Sequence, residues 1–166
     1  MPQHLVSDIL AILVEGQDMA VATTFPDGAP HAVTVSYVSE GLALYFGCSP
    51  GSQKARNLDH DDRLAITVTL PYRDWSQIRG LSLCGRARPV APGLEQTRVA
   101  ALFAAKFSEI AQYVSDVGDD LALFEVTPEV IGVLDYRQGF GHVEHVRVLQ
   151  LDPPRTTRLT HEARRT

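Results

Sequence analysis

Apolar residues recur at helical spacing near the start of the chain and then change to strict alternation. Residues 4–14 carry the helical pattern, and Gly16 follows as a stop signal. The alternation predicts three successive strands, over residues 19–25, 31–38 and 42–46. The turn segments Pro26-Asp27-Gly28 and Glu40-Gly41 separate them. A helix is therefore expected to lead into a three-stranded antiparallel meander.

The rest of the chain alternates again between breakers. A fourth strand is predicted over residues 64–70 and a long fifth strand over 77–90, where Gly80 and Gly85 mark bulges or close backbone contacts. The remaining pattern predicts helices over residues 94–107 and 108–114, strands over 121–126 and 130–136 joined by Thr127-Pro128-Glu129, and a last strand over 143–151. This order excludes a parallel, doubly wound sheet and favours a mainly β fold, an antiparallel barrel with peripheral helices.

Composition indicates one domain. The chain has 166 residues, 45% of them apolar, with no Pro/Gly-rich linker in the middle. We expect a single domain over residues 1–151 and a flexible, proline-led polar tail over 152–166. The sequence contains neither a basic segment followed by an apolar one at its start nor a run of about eighteen apolar residues. A soluble, cytoplasmic protein without a membrane partner is the expectation.

Charge and cysteine content exclude several classes of function. The net charge of −5 and the pI near 5.6 argue against a nucleic-acid partner. Cys48 and Cys84 form no CxxC pair, so a disulfide framework or structural zinc is not expected, and both are predicted to be core or near-core residues. The segment Asp59-His60-Asp61-Asp62 follows a predicted helix and fits a solvated turn better than a metal site. We predict no bound metal.

The segment after the third strand has the chemistry of a helix start. Ser49 followed by Pro50 predicts an N-cap with proline at the first helical position. A helix start presents unpaired backbone N–H groups and a positive dipole end, and the small residues Gly51 and Ser52 let an anion approach them. Lys54 lies about one turn further on and leans back toward that anion. The segment fits a phosphate site, and equally an ordinary capped helix with a solvated basic face.

The second predicted strand has one face of small and hydroxylated residues. Period-two alternation places Ala32, Thr34 and Ser36 on one side of the strand. His31, Val33, Val35 and Tyr37 lie on the other side. A face of small side chains can lie against a flat ligand.

Four segments together resemble one known family. They are Asp27-Gly28-Ala29-Pro30, Ser52-Gln53-Lys54, the strand segment 78–87, and Gly139-Phe140-Gly141. In order and spacing the chain resembles, over about residues 5–150, the FMN-binding split-barrel superfamily typified by pyridoxamine 5′-phosphate oxidase. It is similar in particular to a group of small, uncharacterised bacterial members with a C-terminal Gly-Phe-Gly segment. The resemblance implies an antiparallel split β-barrel.

The resemblance also implies a homodimer with FMN at its interface. The family holds the FMN phosphate with a Ser-Arg-Lys segment, which corresponds here to Ser52, Gln53 and Lys54. Gln53 replaces the arginine, so Arg56 or Arg79 is expected to supply the missing charge. Residues of the second strand line the flavin ring in the family. The predicted cofactor-binding residues are therefore Val33, Thr34, Val35, Ser36, Ser49, Ser52, Lys54 and Arg79.

The function implied is a flavin-dependent oxidoreductase acting on a small molecule, with no side chain assigned as catalytic. Oxidase members use a tryptophan near the C-terminus, and the corresponding segment 131–135 has none, which disfavours oxidation of pyridoxamine phosphate. Two alternatives stay open: a non-enzymatic flavin-binding or sensing protein, and a split barrel that uses haem or a deazaflavin. His142 and His145 are three apart, which on a strand places them on opposite faces and disfavours paired haem ligands in one chain.

Two aromatic positions have open roles. Trp75 and the strand segment 78–83 are candidates for the dimer interface or the cofactor surroundings, and equally for ordinary core. The Gly139-Phe140-Gly141-His142 loop is expected to cover the flavin site, since glycines permit backbone angles that set an aromatic ring over a planar ligand. The alternative is a hairpin turn with Phe140 in the core.

Overall fold

The computed structural model describes residues 3–109 and 121–148. Its helices are α1 (Gln3–Glu15), α2 (Gln53–His60) and α3 (Leu94–Lys106). Its strands are β1 (Asp18–Thr24), β2 (Pro30–Glu40), β3 (Ala43–Cys48), β4 (Arg63–Thr69), β5 (Arg79–Pro89), β6 (Ala122–Asp135) and β7 (Val143–Arg147). Short 3₁₀ turns lie at Trp75–Gln77 and Tyr136–Gln138. The predicted meander β1-β2-β3 is present and antiparallel.

The strands form a barrel because β6 pairs with three neighbours. The sheet runs β3-β2-β1-β4-β5-β6-β7, and an additional β3–β6 pairing closes it. The first part of β6 pairs with β3 through register partners such as Leu44 and Val126, whereas its last part pairs with β7, as Gly132 does with His145. The predicted fold is confirmed: it is a mainly β, antiparallel split barrel with peripheral helices.

The two predicted strands around Thr127-Pro128-Glu129 are one continuous strand, so the predicted break there is wrong. β5 pairs with β6 along its whole length, and a bulge absorbs the irregular segment: Cys84 pairs with Val130, but Gly85 pairs with Pro128. A Cβ atom on Gly85 would lie 2.3 Å from the carbonyl oxygen of Thr127. The absence of a side chain at Gly85 therefore lets the two backbones meet at the bulge.

Two helices cover opposite ends of the barrel. α1 leads into the start of β1 and buries an apolar face made of Leu5, Ile9, Ile12 and Leu13. The Tyr37 hydroxyl near the end of β2 donates to the carbonyl oxygen of Leu13 at 2.9 Å, which ties α1 to this end. α2 leads into the start of β4 and buries Ala55 and Leu58 at the other end. α3 packs outside the barrel, where Val99 and Phe103 contact β2 and β3.

Other predictions have mixed outcomes. Cys48 is buried, but Cys84 is exposed because it lies on the outward row of β5, so the predicted core or near-core position is wrong for Cys84. Most of the predicted helix at 108–114, the last residues of the predicted strand 143–151 and the predicted tail 152–166 lie outside the described residues. Within the described part, no helix is long and apolar enough to cross a membrane. Those same residues hold no cluster of three or more metal-ligating side chains.

Candidate functional site

The helix that follows β3 begins later than its sequence suggests. Ser52, not Ser49, is the N-cap: its backbone is extended and its Oγ accepts a hydrogen bond from the Ala55 amide at 3.4 Å. The Ser49 carbonyl oxygen accepts from the Ser52 amide at 2.9 Å, so residues 49–52 form a turn. Pro50 occupies the second position of that turn, which its fixed φ favours as much as the first position of a helix.

Two cationic side chains belong to the first turns of α2. Lys54 is its second residue and is half-buried. The Arg56 guanidinium folds back toward the helix start, where it donates to the Gly51 carbonyl oxygen and, at 2.5 Å, to Oε1 of Gln53. The structure thus gathers Ser52, Lys54 and Arg56 at the helix start, with Ser49 in the adjoining turn.

Arg79 lies at the other end of the barrel. Its guanidinium is 3.8 Å from the Glu15 carboxylate, beside the last residue of α1. β4 separates this end from α2, and its seven residues span about 20 Å. Within one chain, therefore, the structure does not bring Arg79 together with the start of α2, and Arg56 is the arginine found there.

The predicted residues of β2 divide between two sides of the sheet. Thr34 and Ser36 are exposed on the outward side, whereas Val33 and Val35 are half-buried and point inward. The Ser36 hydroxyl donates to the exposed Asp18 carboxylate at 2.6 Å. Thr34 belongs to a row of small side chains that runs across five strands through the registered positions Thr34, Ala20, Thr67, Ser82 and Gly132. No large side chain projects from this small-residue row on the outward face.

Sequence reasoning missed two polar residues behind the helix start. Asn57 is fully buried, and its amide nitrogen donates to the Thr23 hydroxyl oxygen at 3.0 Å. Thr23, on β1, is also buried. The available signal was the position of Asn57 in α2: it lies between the apolar residues Ala55 and Leu58 and one turn after Gln53, on the face that the helix buries.

An exposed aromatic pair lies at the α1 end of the barrel. The rings of Trp75 and Phe140 stack with centroids 5.9 Å apart and planes 7° from parallel. Phe140 is 79% exposed and Trp75 64%, so the core alternatives for both residues are wrong. Gly139 and Gly141 have positive φ angles of 144° and 76°, backbone that lets the loop project Phe140 outward. The pair lies near Arg79, at the opposite end of its own barrel from α2.

A buried carboxylate holds the turn beneath this aromatic pair. Asp135 accepts hydrogen bonds from Nε and Nη2 of Arg137 at 2.8 and 2.7 Å and from the Arg137 amide at 3.1 Å. The Arg137 guanidinium lowers the pKa of Asp135 to about 2. Tyr136, next in the chain, lies with its ring 5.3 Å from that of Phe140. The Asp135–Arg137 pair therefore fixes the turn that carries the aromatic stack.

Acid should release this turn before the barrel unfolds. The pKa of Asp135 is lowered on folding, so its stabilisation is present above its unfolded pKa, near 4, and is lost as the pH falls through about 2. Trp75 is the single tryptophan, so its fluorescence should report the change between about pH 4 and 2. Asp135→Asn should remove this step. Asp74→Asn, which alters the cap of the Trp75 turn, should retain it. The same step in Asp135→Asn would assign it to another group.

The fold is shared with several solved structures. They include a haem-binding protein from Mycobacterium smegmatis (TM-score 0.70, 22% identity, 86% of this chain and 56% of that one). HutZ, the haem storage protein of Vibrio cholerae, gives a TM-score of 0.64 at 21% identity over 74% of this chain and 89% of that one. A Listeria innocua protein named for pyridoxamine 5′-phosphate oxidase gives 0.63 at 20% identity over 79% and 98%.

Sequence comparison assigns the family. No functionally curated protein shows significant sequence similarity to the chain. The family model described as pyridoxamine 5′-phosphate oxidase matches residues 7–135, which include the six strands of the closed barrel and the start of α2. The chain therefore belongs to the pyridoxamine 5′-phosphate oxidase family of split-barrel proteins.

Proposed function

We propose that the protein binds FMN, with the terminal phosphate at the start of α2 and the ring along the outward face of β2. The observation that carries this proposal is the placement of two cations, Lys54 and Arg56, on a helix start that Ser52 caps. A dianionic phosphate suits such a site because the helix dipole, the first amides and both side chains are all favourable to negative charge. The exposed, small side chains of Thr34 and Ser36 leave room for a planar ring.

We further propose an oxidoreductase that acts on a small molecule. Bound flavin would supply hydride transfer, while the chain binds and orients the cofactor and substrate. Oxidation of pyridoxamine phosphate is not proposed, because the end of β6 lacks the tryptophan that oxidase members use. Steady turnover of a reductant by the purified, FMN-loaded protein would support an enzyme. Flavin binding without turnover would favour a sensing or storage role.

FMN should bind much more tightly than riboflavin. The two ligands share the ring system and differ in the phosphate, so their affinity ratio isolates the contribution of the α2 start. Charge-assisted hydrogen bonds contribute about 1.5–3 kcal/mol each, which predicts a preference of at least about tenfold. Titration of flavin fluorescence with the apoprotein measures both constants. Equal affinities would place the phosphate away from Lys54 and Arg56.

The proposal includes a homodimer that shares the cofactor. Support comes from the outward row through Ala20 and Thr34, whose small side chains let two sheets approach closely about a two-fold axis. Light scattering should show a dimer at micromolar concentration. Ala20→Arg, next to Thr34 in this row, should yield a monomer, whereas Ala104→Arg on the exposed side of α3 should not. A wild-type monomer would contradict this part of the proposal.

Haem is the second candidate ligand. It is favoured by the structural similarity to the M. smegmatis haem-binding protein and to HutZ. In this chain the His142 imidazole is 3.1 Å from the Glu144 carboxylate, and His145 is exposed beside Gly132. The absorbance spectrum of the purified protein, followed by mass identification of the released ligand, distinguishes the candidates. A Soret band in place of flavin absorbance would overturn the FMN proposal.

A further inference from the structure

A chain of side-chain hydrogen bonds runs from the start of α2 into the barrel. Its distances are 2.5 Å from Arg56 to Gln53, 2.8 Å from Gln53 to Asn57, 3.0 Å from Asn57 to Thr23, and 3.4 Å between Thr23 and His31. We call this set of five residues the relay. It connects an exposed guanidinium on α2 with β1 and β2.

The three hydrogen bonds from Arg56 to Thr23 all run in one direction. Arg56 donates to Oε1 of Gln53, and Nε2 of Gln53 donates to Oδ1 of Asn57. Nδ2 of Asn57 then donates to the Thr23 hydroxyl oxygen, which lies 3.4 Å from Nδ1 of His31. Reversing the Asn57 amide would set its NH₂ group against that of Gln53. Because Asn57 is buried, such a mismatch would leave its NH₂ group without an acceptor and is strongly disfavoured.

This direction fixes where the Arg56 guanidinium lies. A buried amide sets the orientation of Gln53, so its carbonyl oxygen faces Arg56 and holds the guanidinium beside the Gly51 carbonyl at the helix start. An exposed arginine otherwise samples many rotamers and loses entropy when it binds an anion. The relay meets part of that cost before the ligand arrives.

We propose that Asn57 is a positioning residue for the phosphate site and that, through Gln53, it makes Arg56 the second cation that binds the phosphate. The inference rests on the proposed FMN site. It assigns Gln53 to orienting Arg56 instead of contacting the phosphate. It also couples the helix start to β1, since the Asn57 amide nitrogen donates a hydrogen bond to the buried Thr23 hydroxyl.

A double-mutant cycle tests the inference, with FMN and riboflavin as paired probes. Arg56→Ala should lower FMN affinity about tenfold or more. Asn57→Ala should lower it by a similar factor, and the double variant should lose little more than either single variant, because both remove the same interaction. Riboflavin affinity should stay unchanged in all three. Multiplying losses in the double variant would overturn the inference.

Two further variants separate positioning from stability. Leu58→Ala removes a buried side chain from the same helix without touching the relay. It should lower the melting temperature yet keep the wild-type ratio of FMN to riboflavin affinity. If Leu58→Ala lowered that ratio as much as Asn57→Ala does, the inference would be overturned. Should Asn57→Ala fail to fold, Thr23→Ser and Thr23→Val replace it: serine should keep FMN affinity and valine should lower it. Equal affinity in wild type for both flavins would instead refute the FMN site itself.

Discussion

Replacement of Lys54 by alanine is expected to weaken FMN binding by about 1.5–3 kcal/mol, the contribution of one charge-assisted hydrogen bond. Lys54 is the second residue of α2, two residues after the Ser52 cap, and it is half-buried, which limits screening of its charge by solvent. The dissociation constant from a fluorescence titration, for variant and wild type at equal ionic strength, measures the effect.

The chain offers a matched control for this loss of charge. Arg73→Ala removes one positive charge from an exposed position in the loop between β4 and β5, at the end of the barrel away from α2. It should leave FMN affinity within a factor of about two, since exposed charges beyond a Debye length are screened. Riboflavin affinity should be the same for Lys54→Ala and wild type. An unchanged FMN constant in Lys54→Ala would make Lys54 an ordinary solvated residue of the helix.

Replacement of Phe46 by alanine is expected to lower the free energy of unfolding by about 3–5 kcal/mol. Phe46 is fully buried on β3, and its ring stacks on Phe124 of β6 with centroids 5.4 Å apart. The two residues are direct register partners in the pairing that closes the barrel. A cavity at this position would therefore weaken the β3–β6 pairing that closes the barrel. Chemical denaturation monitored by circular dichroism measures the change.

Phe140 supplies the comparison at the surface. Phe140→Ala removes the same side chain from a position that is 79% exposed, so it should change stability by about 0.5 kcal/mol or less. A loss as large as that of Phe46→Ala would mean that the aromatic pair is buried in solution. An effect of Phe140→Ala on FMN binding with unchanged stability would support the predicted role of the loop as a cover.

The sequence pattern predicted the strands well because each has one face on a single core. β4 shows this clearly, since every second residue from Leu64 to Val68 is buried. The pattern placed two features wrongly: the N-cap of α2 and the break in β6. Ser49 precedes a proline that suits the first position of a helix, whereas Ser52 precedes helix formers, and the turn over residues 49–52 makes Ser52 the N-cap. Pro128 predicts an end to the strand. The strand continues because Pro128 pairs with Gly85 of β5 at the bulge, and a pairing between remote residues cannot be deduced from the local sequence.

The site was predictable in part for a similar reason. Ser52 and Lys54 are adjacent in sequence, so local chemistry sufficed to place them together. Choosing between Arg56 and Arg79 requires the end of the barrel at which each lies, which depends on strand direction and register. Asn57 was missed because its partner Thr23 is remote in the chain, and a polar residue on a helix reads as solvated until its burial is known.

Because β6 pairs with β3 and β7 through different parts of its length, β7 can separate from the sheet without opening the barrel. β7 is a five-residue edge strand that pairs with the last part of β6, whereas β3 closes the barrel through the first part. Fraying of β7 would carry the Phe140 loop with it and leave the closed barrel intact, because the loop joins β6 directly to β7. Backbone amides of β7 would then exchange with solvent hydrogen far sooner than those of β5, which has a neighbour on both sides.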